Sequence, residues 1–600
     1  MYLSMQFRTY GDFARYLEKA GELHRVTMEV DPFLEVTEIA TRALRERKPA
    51  LLFENVKGAR FPLVINAMAS DRRCELGLQK HPEQLGEELL RFVDDLMPPR
   101  PSVLVRHRRL ARRFLSARVR RSRKALSQEV IGPPDLGHLP ILTCWPEDGG
   151  PFVTLPQVVT YDPGTGRRNI GMYRMHVYDS KTTGMHWQIQ KGGGFHYHAA
   201  ESAARPLEVA VALGTDPALL LATIAALPEG IDEAMFAGFL RGRRTEFTRS
   251  TSLTLDVPAH AEFIMEGVVL PNERRLEGPF GDHFGHYSHA ADFPVFHINA
   301  ITRRRQAVYP ATVVGIPPME DKYLGDATQQ ILGPLARLVH SEIRDLWAYY
   351  EAGFHNLLVV SVRQRYAKEA MKSALGIFGT GQLSLTKCIV LVSEGVSVRD
   401  FDAVMNEVRV HFDPHYDFVM IPRVPLDTLD FTSFSMNLGS KMVIDATRKD
   451  PQPGSSREPS LSPAHINEKI THLKSLDSRI IDMNLVHGTL LLVKVTGLGM
   501  PVLEKLVRHT ELGSVRIVAA VSEDVDIRDK ESYIWGVFTR FDCERDILFT
   551  EQRLMGISPV YKGIMGIDAT WKEGYPKPLV MREDIRLKVD TKWDALWRNG

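Results

Sequence analysis

Residues Asn169 to His198 read NIGMYRMHVYDSKTTGMHWQIQKGGGFHYH. Polar and apolar residues alternate from Asn169 to Tyr178, Asp179 to Gly184 is rich in turn formers, and Met185 to Gln190 returns. That pattern predicts two β-strands joined by a turn. Lys191 and three glycines, Gly192 to Gly194, follow. Glycine lets backbone N–H groups approach an anion closely and lysine adds a point charge, which suits a phosphate; taken alone, the run is equally a plain loop. Further along, Glu277-Gly278-Pro279-Phe280-Gly281-Asp282 sets two carboxylates five residues apart around a Pro-Phe-Gly centre. By itself this is a turn with acidic ends. Beside a guanidinium such as that of Arg174, two carboxylates can hold one proton where a reaction needs it.

On the amino-terminal side, Phe13, Tyr16, Leu17 and Ala20 recur at helical spacing, with Asp12 as N-cap and Gly21 as stop. Leu51 to Phe53 and Pro62 to Ile65 read as buried strands and Glu87 to Leu96 as an amphipathic helix, giving an N-terminal α/β domain over residues 1–130. That domain includes a basic segment, Arg106 to Lys124, with nine arginines, one lysine and no acid. It reads either as a basic amphipathic helix on an anionic surface such as lipid headgroups or RNA, or as a solvated helix paired with acids elsewhere. The formal net charge of +1 favours the second reading and gives no case for a nucleic-acid-binding protein.

Residues 131–325 are strand-rich. Val153 to Tyr161, Asn169 to Tyr178, Met185 to Gln190, Ser252 to Val257 and Ala261 to Leu270 read as strands, with helices at Pro206 to Leu213 and Asp232 to Leu240. Many short strands in one domain suggest a barrel. Residues 326–450 return to βα alternation, with strands at Leu357 to Val362, Lys387 to Val392 and Phe418 to Ile421 and helices at Ala367 to Leu375 and Phe401 to Val410. Pro451 to Pro463 is a Pro/Ser-rich linker.

Residues 464–600 contain a duplication. Ser393-Glu394 through Arg399-Asp400 recurs as Ser522-Glu523 through Arg528-Asp529, Phe412-Asp413 and Asp417 as Phe541-Asp542 and Asp546, and Ile444-Asp445-Ala446-Thr447 as Ile567-Asp568-Ala569-Thr570. Offsets of 129 and 123 residues mark a second copy of the C-terminal α/β unit. Its apolar runs are expected to form a sheet of their own, making it semi-independent and available as a lobe, an oligomer contact or a lid.

The chain of 600 residues, 44% apolar and 25% charged, is too long for one core and predicts two to four domains. Cys74, Cys144, Cys388 and Cys543 are scattered, without CxxC or metal-ligand spacing, and read as buried thiols in a reducing compartment. No signal-like apolar run opens the sequence, so a cytoplasmic protein is expected, with Arg106 to Lys124 as the segment for any peripheral membrane contact.

Asn169 and Arg174, Met185-His186-Trp187-Gln188, Lys191-Gly192, Asp232-Glu233 and the Glu277–Asp282 stretch, in this order, resemble the UbiD-type decarboxylases. The resemblance implies a flavin-reductase-like split β-barrel over residues 131–325 and a non-oxidative, reversible decarboxylase of an aromatic or α,β-unsaturated acid. Losing CO2 from such an acid leaves an sp2 carbanion that needs an electron sink. In the family that sink is prenylated FMN, made by a flavin prenyltransferase. The resemblance implies Arg174 as carboxylate clamp, Asp282 as proton donor and Glu277 as its partner, with Asp282 one methylene shorter than the Glu of many relatives. Met172, Tyr173, Arg174, His186, Trp187, Gln188, Lys191, Gly192 and Lys387 would bind the cofactor. Asn169, Glu233 and Gln190 would hold Mn2+ or Mg2+ at the phosphate, and K+ would sit near Ala222-Thr223 and Glu233. Gln190 stands where the family usually has His, a weaker ligand for manganese, and His196 and His198 lie nearby. The implied substrate is a 4-hydroxy-3-polyprenylbenzoate of ubiquinone assembly or a dihydroxynaphthoate of menaquinone assembly, and the implied assembly a homo-oligomer, dimer or hexamer. The alternatives are a flavin reductase and a non-catalytic subunit associated with membrane or RNA. Neither has a need for Arg174, Glu277 and Asp282 together.

Strict alternation would put Asn169 and Arg174 on opposite faces of one strand, so a bulge or an early strand start is expected if both meet the cofactor.

Overall fold

The computed structural model describes residues 7–96, 101–188, 191–227, 230–449, 469–470, 472–509, 512 and 515–598. The four expected segments fall into two compact units, Met1–Leu332 with Lys577–Gly600, and Gly333–Pro576.

In the first unit the opening helix is Tyr10–Lys19, and its N-cap is Thr9, whose side chain accepts the Asp12 N–H; Asp12 lies in the first turn and accepts the Arg8 N–H. Phe13 and Leu17 form its buried face. A four-stranded sheet pairs Leu23–Val26, Ala50–Phe53, Leu63–Ile65 and Tyr309–Pro310 in that order. Its last strand comes from the far end of the central segment, and Val26, Phe53, Val153, Phe263 and Tyr309 share one hydrophobic core. The amino-terminal and central segments therefore fold around common apolar surface.

The central sheet runs Thr182–Gly184, Ala291–Arg303, Phe263–Glu277, Leu207–Leu213, Gln157–Tyr161, Arg168–Met172, antiparallel throughout, with Val130–Gly132 added to Ala291–Arg303. Among the described residues the two end strands do not pair with each other. Four expectations change here. The strand expected over Met185 to Gln190 is instead Thr182–Gly184, within the stretch read as the turn, while Met185 to Gln188 carries no strand and 189–190 lie outside the described residues. Pro206 to Leu213 is not a helix but the strand Leu207–Leu213. Val209 and Val211 enter one core while Ala210 and Ala212 enter another, so both faces are covered and no period separates strand from helix. Of the strand expected over Ser252 to Val257, Ser252 to Leu255 is a bend fixed by Glu266, which accepts the N–H groups of Thr251 and Ser252, and only Asp256 and Val257 are strand, in Asp256–Pro258, which pairs with Glu246–Arg249. The Gly192 to Gly194 run opens a helix, Gly192–Ser202, where a loop was expected.

The basic segment starts at the last residue of the helix Pro101–Arg106 and forms one short helix, Arg108–Ser116, and a strand, Arg120–Arg121. Arg120 pairs with Glu246 (2.5 Å) and Arg121 with Asp256 (2.9 Å), while Arg113 donates to the Leu240 carbonyl (2.7 Å). No helix among the described residues is long and apolar enough to cross a membrane.

The second unit contains the duplication. One five-stranded sheet orders Ile343–Ala348, Leu358–Val362, Cys388–Ser393, Leu438–Asp445, Phe418–Pro425; the other orders Ile480–Val486, Leu490–Val495, Ile517–Val521, Ser558–Ala569, Ile547–Met555. Both run antiparallel, parallel, parallel, antiparallel across the order. The repeated residues make the same bonds. Thr447 donates N–H and hydroxyl to Asp445 as Thr570 does to Asp568, and Lys449 pairs with Asp417 (3.0 Å) as Lys572 does with Asp546 (3.5 Å). The Pro451 to Pro463 linker lies outside the described residues. All four cysteines are buried and free.

Candidate active site

The strand Arg168–Met172 stops at Met172, and the chain resumes as Met175–His176, paired with Phe152–Val153 in a separate ladder. This break, not a bulge or an early start, separates Asn169 from Arg174. Tyr173 and Arg174 lie in the gap, freed from the alternation of the pleat.

Arg174 is the centre of a buried ionic cluster. Its Nε donates to Glu277 Oε1 (2.8 Å), Nη2 to Glu277 Oε2 (3.2 Å) and Ser288 Oγ (2.9 Å), and Nη1 to Asp282 Oδ2. Four of its five N–H groups are thus taken, and the second on Nη1 has no acceptor among the described residues. The guanidinium carbon lies 4.8 Å from the centroid of the Phe280 ring. Glu277 ends the strand Phe263–Glu277 and is fully buried. Gly278, at φ +91°, starts the reversal that returns Asp282 to the same guanidinium. His186 Nδ1 lies 3.0 Å from Glu277 Oε2, and its ring is 4.3 Å from that of Phe293.

Burial opposes charge on Glu277, but Arg174's charge and the His186 hydrogen bond hold its carboxyl well below the usual range. Burial likewise opposes charge on Asp282, yet His283's hydrogen bond and Arg174's charge hold it down at about 2. Burial and then the Arg174 charge lower His186, which is neutral near pH 7. The cluster is one guanidinium against two carboxylates.

A second group gathers at the helix Gly192–Ser202, whose N-cap is Lys191. Asn169 stands so close that a Cβ on Gly192 would lie 2.1 Å from its Oδ1, and one on Gly193 would lie 2.6 Å from Trp187 Nε1. The Tyr173 hydroxyl accepts the Gly193 N–H (3.2 Å) and lies 3.5 Å from Asn169 Nδ2. Glu233 begins the helix Glu233–Arg241, capped by Asp232; its Oε2 accepts the Ile170 N–H (2.9 Å), and burial pushes it up to about 7. Thr223 is engaged by Leu219 O and Gln157.

Met172 and Gln188 are partly exposed, and Gln190 lies outside the described residues. His196 is held by Thr160 (2.8 Å) and His198 is exposed on the same helix. No cluster of three or more His, Cys, Asp or Glu among the described residues suits a metal ion. Lys387, expected at the phosphate, belongs to the second unit, where its fully buried ammonium pairs with Asp430 (2.9 Å) and donates to the Phe541 carbonyl (3.0 Å). Those partners account for its charge.

Two buried polar atoms beside the cluster, His186 Nε2 and Trp187 Nε1, have no hydrogen-bond partner among the described residues. With the glycine N–H groups at the helix start, they fit a planar heteroaromatic group that carries a phosphate. The sequence reading missed Ser288, Asp148 and His283. Asp148 accepts the Gly281 N–H at 2.8 Å and His283 Nδ1 lies 2.8 Å from Asp282. Only the adjacency of His283 to Asp282 was visible in advance.

Models of the N-terminal, Rift-related and C-terminal domains of 3-octaprenyl-4-hydroxybenzoate carboxy-lyase, UbiD, match residues 14–93, 117–317, and 322–446 with 496–569. An uncharacterized protein of Archaeoglobus fulgidus is 46% identical over 459 residues, 76% of this chain and 94% of its own. A 4-hydroxybenzoate decarboxylase subunit of Chlamydia pneumoniae is 35% identical over 580 residues, 96% of each chain. Among solved structures, the closed form of Sedimentibacter hydroxybenzoicus vanillic acid decarboxylase matches with TM-score 0.66 and 25% identity, covering 78% of this chain and 99% of that one. An evolved dimeric form of the UbiD-class enzyme HmfF from Pelotomaculum thermopropionicum, in complex with prFMN, matches with TM-score 0.60 and 26% identity over 75% and 98% of the two chains. The chain belongs to the UbiD family and is a carboxy-lyase.

Proposed function

We propose that the chain reversibly decarboxylates an aromatic or α,β-unsaturated acid on prenylated FMN, without net oxidation. The observation that carries this is Arg174 buried between Glu277 and Asp282. One positive and two negative charges leave the cluster short of a proton for a second anion, so a substrate carboxylate binds favourably only when one acid is neutralised. Asp282, bonded to Arg174 through one oxygen only, is that acid, because Glu277 is held by both Arg174 and His186. Protonation of Asp282 frees Nη1 of Arg174 for the substrate carboxylate, and it supplies the one proton that decarboxylation consumes. Prenylated FMN, when bound, is the sink for the electron pair left as the C–C bond breaks.

Met172, Tyr173, His186, Trp187, Gln188, Lys191 and Gly192 would hold the flavin, and the N–H groups at the start of the helix Gly192–Ser202 would receive its phosphate. Asn169 and Glu233 would hold Mn2+ or Mg2+ for the cofactor phosphate, with Gln190, outside the described residues, as the third expected ligand and K+ expected near Ala222-Thr223. The name of the Chlamydia pneumoniae relative supports a 4-hydroxybenzoate-type substrate, of which a 4-hydroxy-3-polyprenylbenzoate is one. A flavin prenyltransferase supplies the cofactor, and the working form is a homo-oligomer. The test is co-expression with a flavin prenyltransferase, followed by the absorption spectrum and CO2 release from 4-hydroxybenzoates. A flavin-loaded protein that reduces flavin with nicotinamide, and releases no CO2 from any aromatic acid, would replace this reading with that of a flavin reductase.

A further inference from the structure

The proton that Asp282 gives up has to be replaced from solvent, and Asp282 does not face solvent. Its side chain is 11% exposed and that of Arg174 is 7% exposed, whereas the next residue, His283, is 24% exposed. Exposure therefore rises step by step from the guanidinium to the imidazole. The contact between the last two is direct. His283 Nδ1 lies 2.8 Å from Asp282 Oδ1, the same oxygen that accepts the His283 backbone N–H at 2.7 Å. Asp282 Oδ2 faces Arg174 instead. One oxygen of the carboxylate thus looks into the site and the other outward, to the imidazole.

The surroundings suit an imidazole that gains and loses a proton. Its ring is 5.0 Å from that of Phe284, which limits its rotation. Asp321, in the first turn of the helix Glu320–Leu332, interacts electrostatically with both His283 and Asp282. An imidazolium at this position interacts with the carboxylates of Asp282 and Asp321, and Arg174 lies on the other side of Asp282. Burial pushes Asp321 up to about 6, and the His283 charge acts against that rise.

Building on the decarboxylase reading, we propose that His283 is the relay that returns a proton from solvent to Asp282 after each turnover. In the forward direction the substrate C–C bond breaks and its electron pair stays on the ring carbon. The Asp282 O–H then gives its proton to that carbon, leaving the carboxylate. His283, as the imidazolium, passes its Nδ1 proton to Asp282 Oδ1, the carboxyl turns about its Cβ–Cγ bond to bring that O–H to the substrate side, and the neutral imidazole is reprotonated from water. One proton enters from solvent for each CO2 released, and nothing is oxidised or reduced. His283 does not touch the substrate in this scheme. It acts through Asp282.

The test separates relay from support. In the cofactor-loaded enzyme, His283→Ala should slow steady-state turnover at least about tenfold, and added imidazole should recover much of it. A first turnover in which the substrate binds as the neutral acid, and so brings Asp282 its proton, should keep the wild-type rate. His283→Asn, which restores a donor to Asp282 but cannot pass a proton on, should stay slow. Wild-type turnover in either variant overturns the relay. So does a first turnover slowed as much as the steady state with no response to imidazole, which would make His283 a support for Asp282 alone. A second readout needs no cofactor. In protein carrying 15N-labelled histidine, the Nδ1 signal absent from His283→Ala should shift on Asp282→Asn. An unshifted signal overturns the contact and the relay with it. If the loaded wild-type enzyme releases no CO2, the decarboxylase reading fails, and the 15N experiment still decides whether His283 and Asp282 exchange a hydrogen bond.

Discussion

Asp148 holds Gly281: its Oδ1 accepts the Gly281 backbone N–H at 2.8 Å, one residue before Asp282. The other oxygen accepts the N–H groups of Cys144 (3.0 Å) and Trp145 (2.9 Å), and Gly149 donates to the Pro279 carbonyl. The Trp145 ring is pressed so closely on Gly281 that a Cβ there would lie 2.2 Å from it. Three N–H donors converge on one carboxylate, so an amide at this position would turn a donor towards at least one of them. Asp148→Asn should cost about 1–3 kcal/mol of stability and loosen the acid loop. The expected result is a lower Tm and a large loss of turnover with flavin content preserved. Unchanged turnover would show that the loop is held by Trp145 alone.

Gly193 tests the cofactor cradle. A methyl group there meets Trp187 Nε1 at 2.6 Å and the Tyr173 ring at 3.0 Å, both side chains assigned to the flavin. Alanine is otherwise the better helix former, so any gain in helix propensity works against a loss. Gly193→Ala should therefore keep its far-UV circular dichroism while flavin content falls at least about tenfold, a cost of about 1.4 kcal/mol or more. Full flavin occupancy in this variant would place the cofactor elsewhere.

The pH dependence of stability follows from opposing groups. Asp282 sits at about 2 in the folded protein against an ordinary 3.8, so its contribution is present above pH 4 and lost as pH falls through 2. The size is about 2 kcal/mol. Asp148 and Glu233, both pushed up by burial to about 7, work in the other sense: their contribution is full below pH 4 and falls as pH rises through 7. The Tm difference between the wild type and Asp282→Asn should accordingly shrink between pH 5 and pH 2.5. A constant difference would mean that Asp282 is not ionised against Arg174.

The separate residues of the site were legible in the sequence, but their arrangement was only partly so. Arg174, Glu277 and Asp282 were named from residue type and resemblance, and the structure brings them into contact. The break between Met172 and Met175 was not legible, because alternation continues through it and only the change of pairing partner reveals it. Leu207–Leu213 was misread because a strand covered on both faces carries no period. The glycine run was misread because its helix is secured by contacts distant in sequence, Tyr173 with Gly193 and Tyr197 with Leu270, which outweigh the poor helix propensity of three glycines. Asp148 was invisible for the same reason: it lies 133 residues from Gly281.

Glu233 provides the metal test. Its carboxylate is buried, bonded to the Ile170 N–H, and raised to about 7, an arrangement that a cation would reverse. Mn2+ binding should release a proton near neutral pH, and calorimetry in two buffers of different ionisation enthalpy measures that release. Glu233→Gln should abolish the proton release and weaken Mn2+ by at least about tenfold. Equal Mn2+ affinity in the variant would remove Glu233 from the ligand set.

The duplicated copy provides the last test, and the structure changes what is expected of it. Each copy has its own sheet, as the sequence suggested, but the two lie in one compact unit. The second copy completes the first at buried polar groups. The Phe541 carbonyl accepts from the Lys387 ammonium, Asp542 accepts from Ser440, and the Phe538 carbonyl accepts from Asn356 (3.1 Å). In return, Thr489 of the second copy donates to the Met405 carbonyl of the first (2.9 Å). Lys387 and Ser440 are fully buried; removing the second copy leaves Lys387 without the Phe541 carbonyl, though still paired with Asp430, and Ser440 without Asp542, on a surface shaped to be covered. Phe418 loses the Phe549 and Tyr561 rings at the same time. Deletion from Pro463 onward also removes Leu579 and Val589 from the core of the first unit, so the cleaner variant excises residues 464–576 and keeps the final segment. That protein should be destabilised enough to aggregate or to lose at least about 10 °C in Tm, rather than persist as an independent body. A monodisperse variant with unchanged Tm by scanning calorimetry would show that the second copy is separable after all.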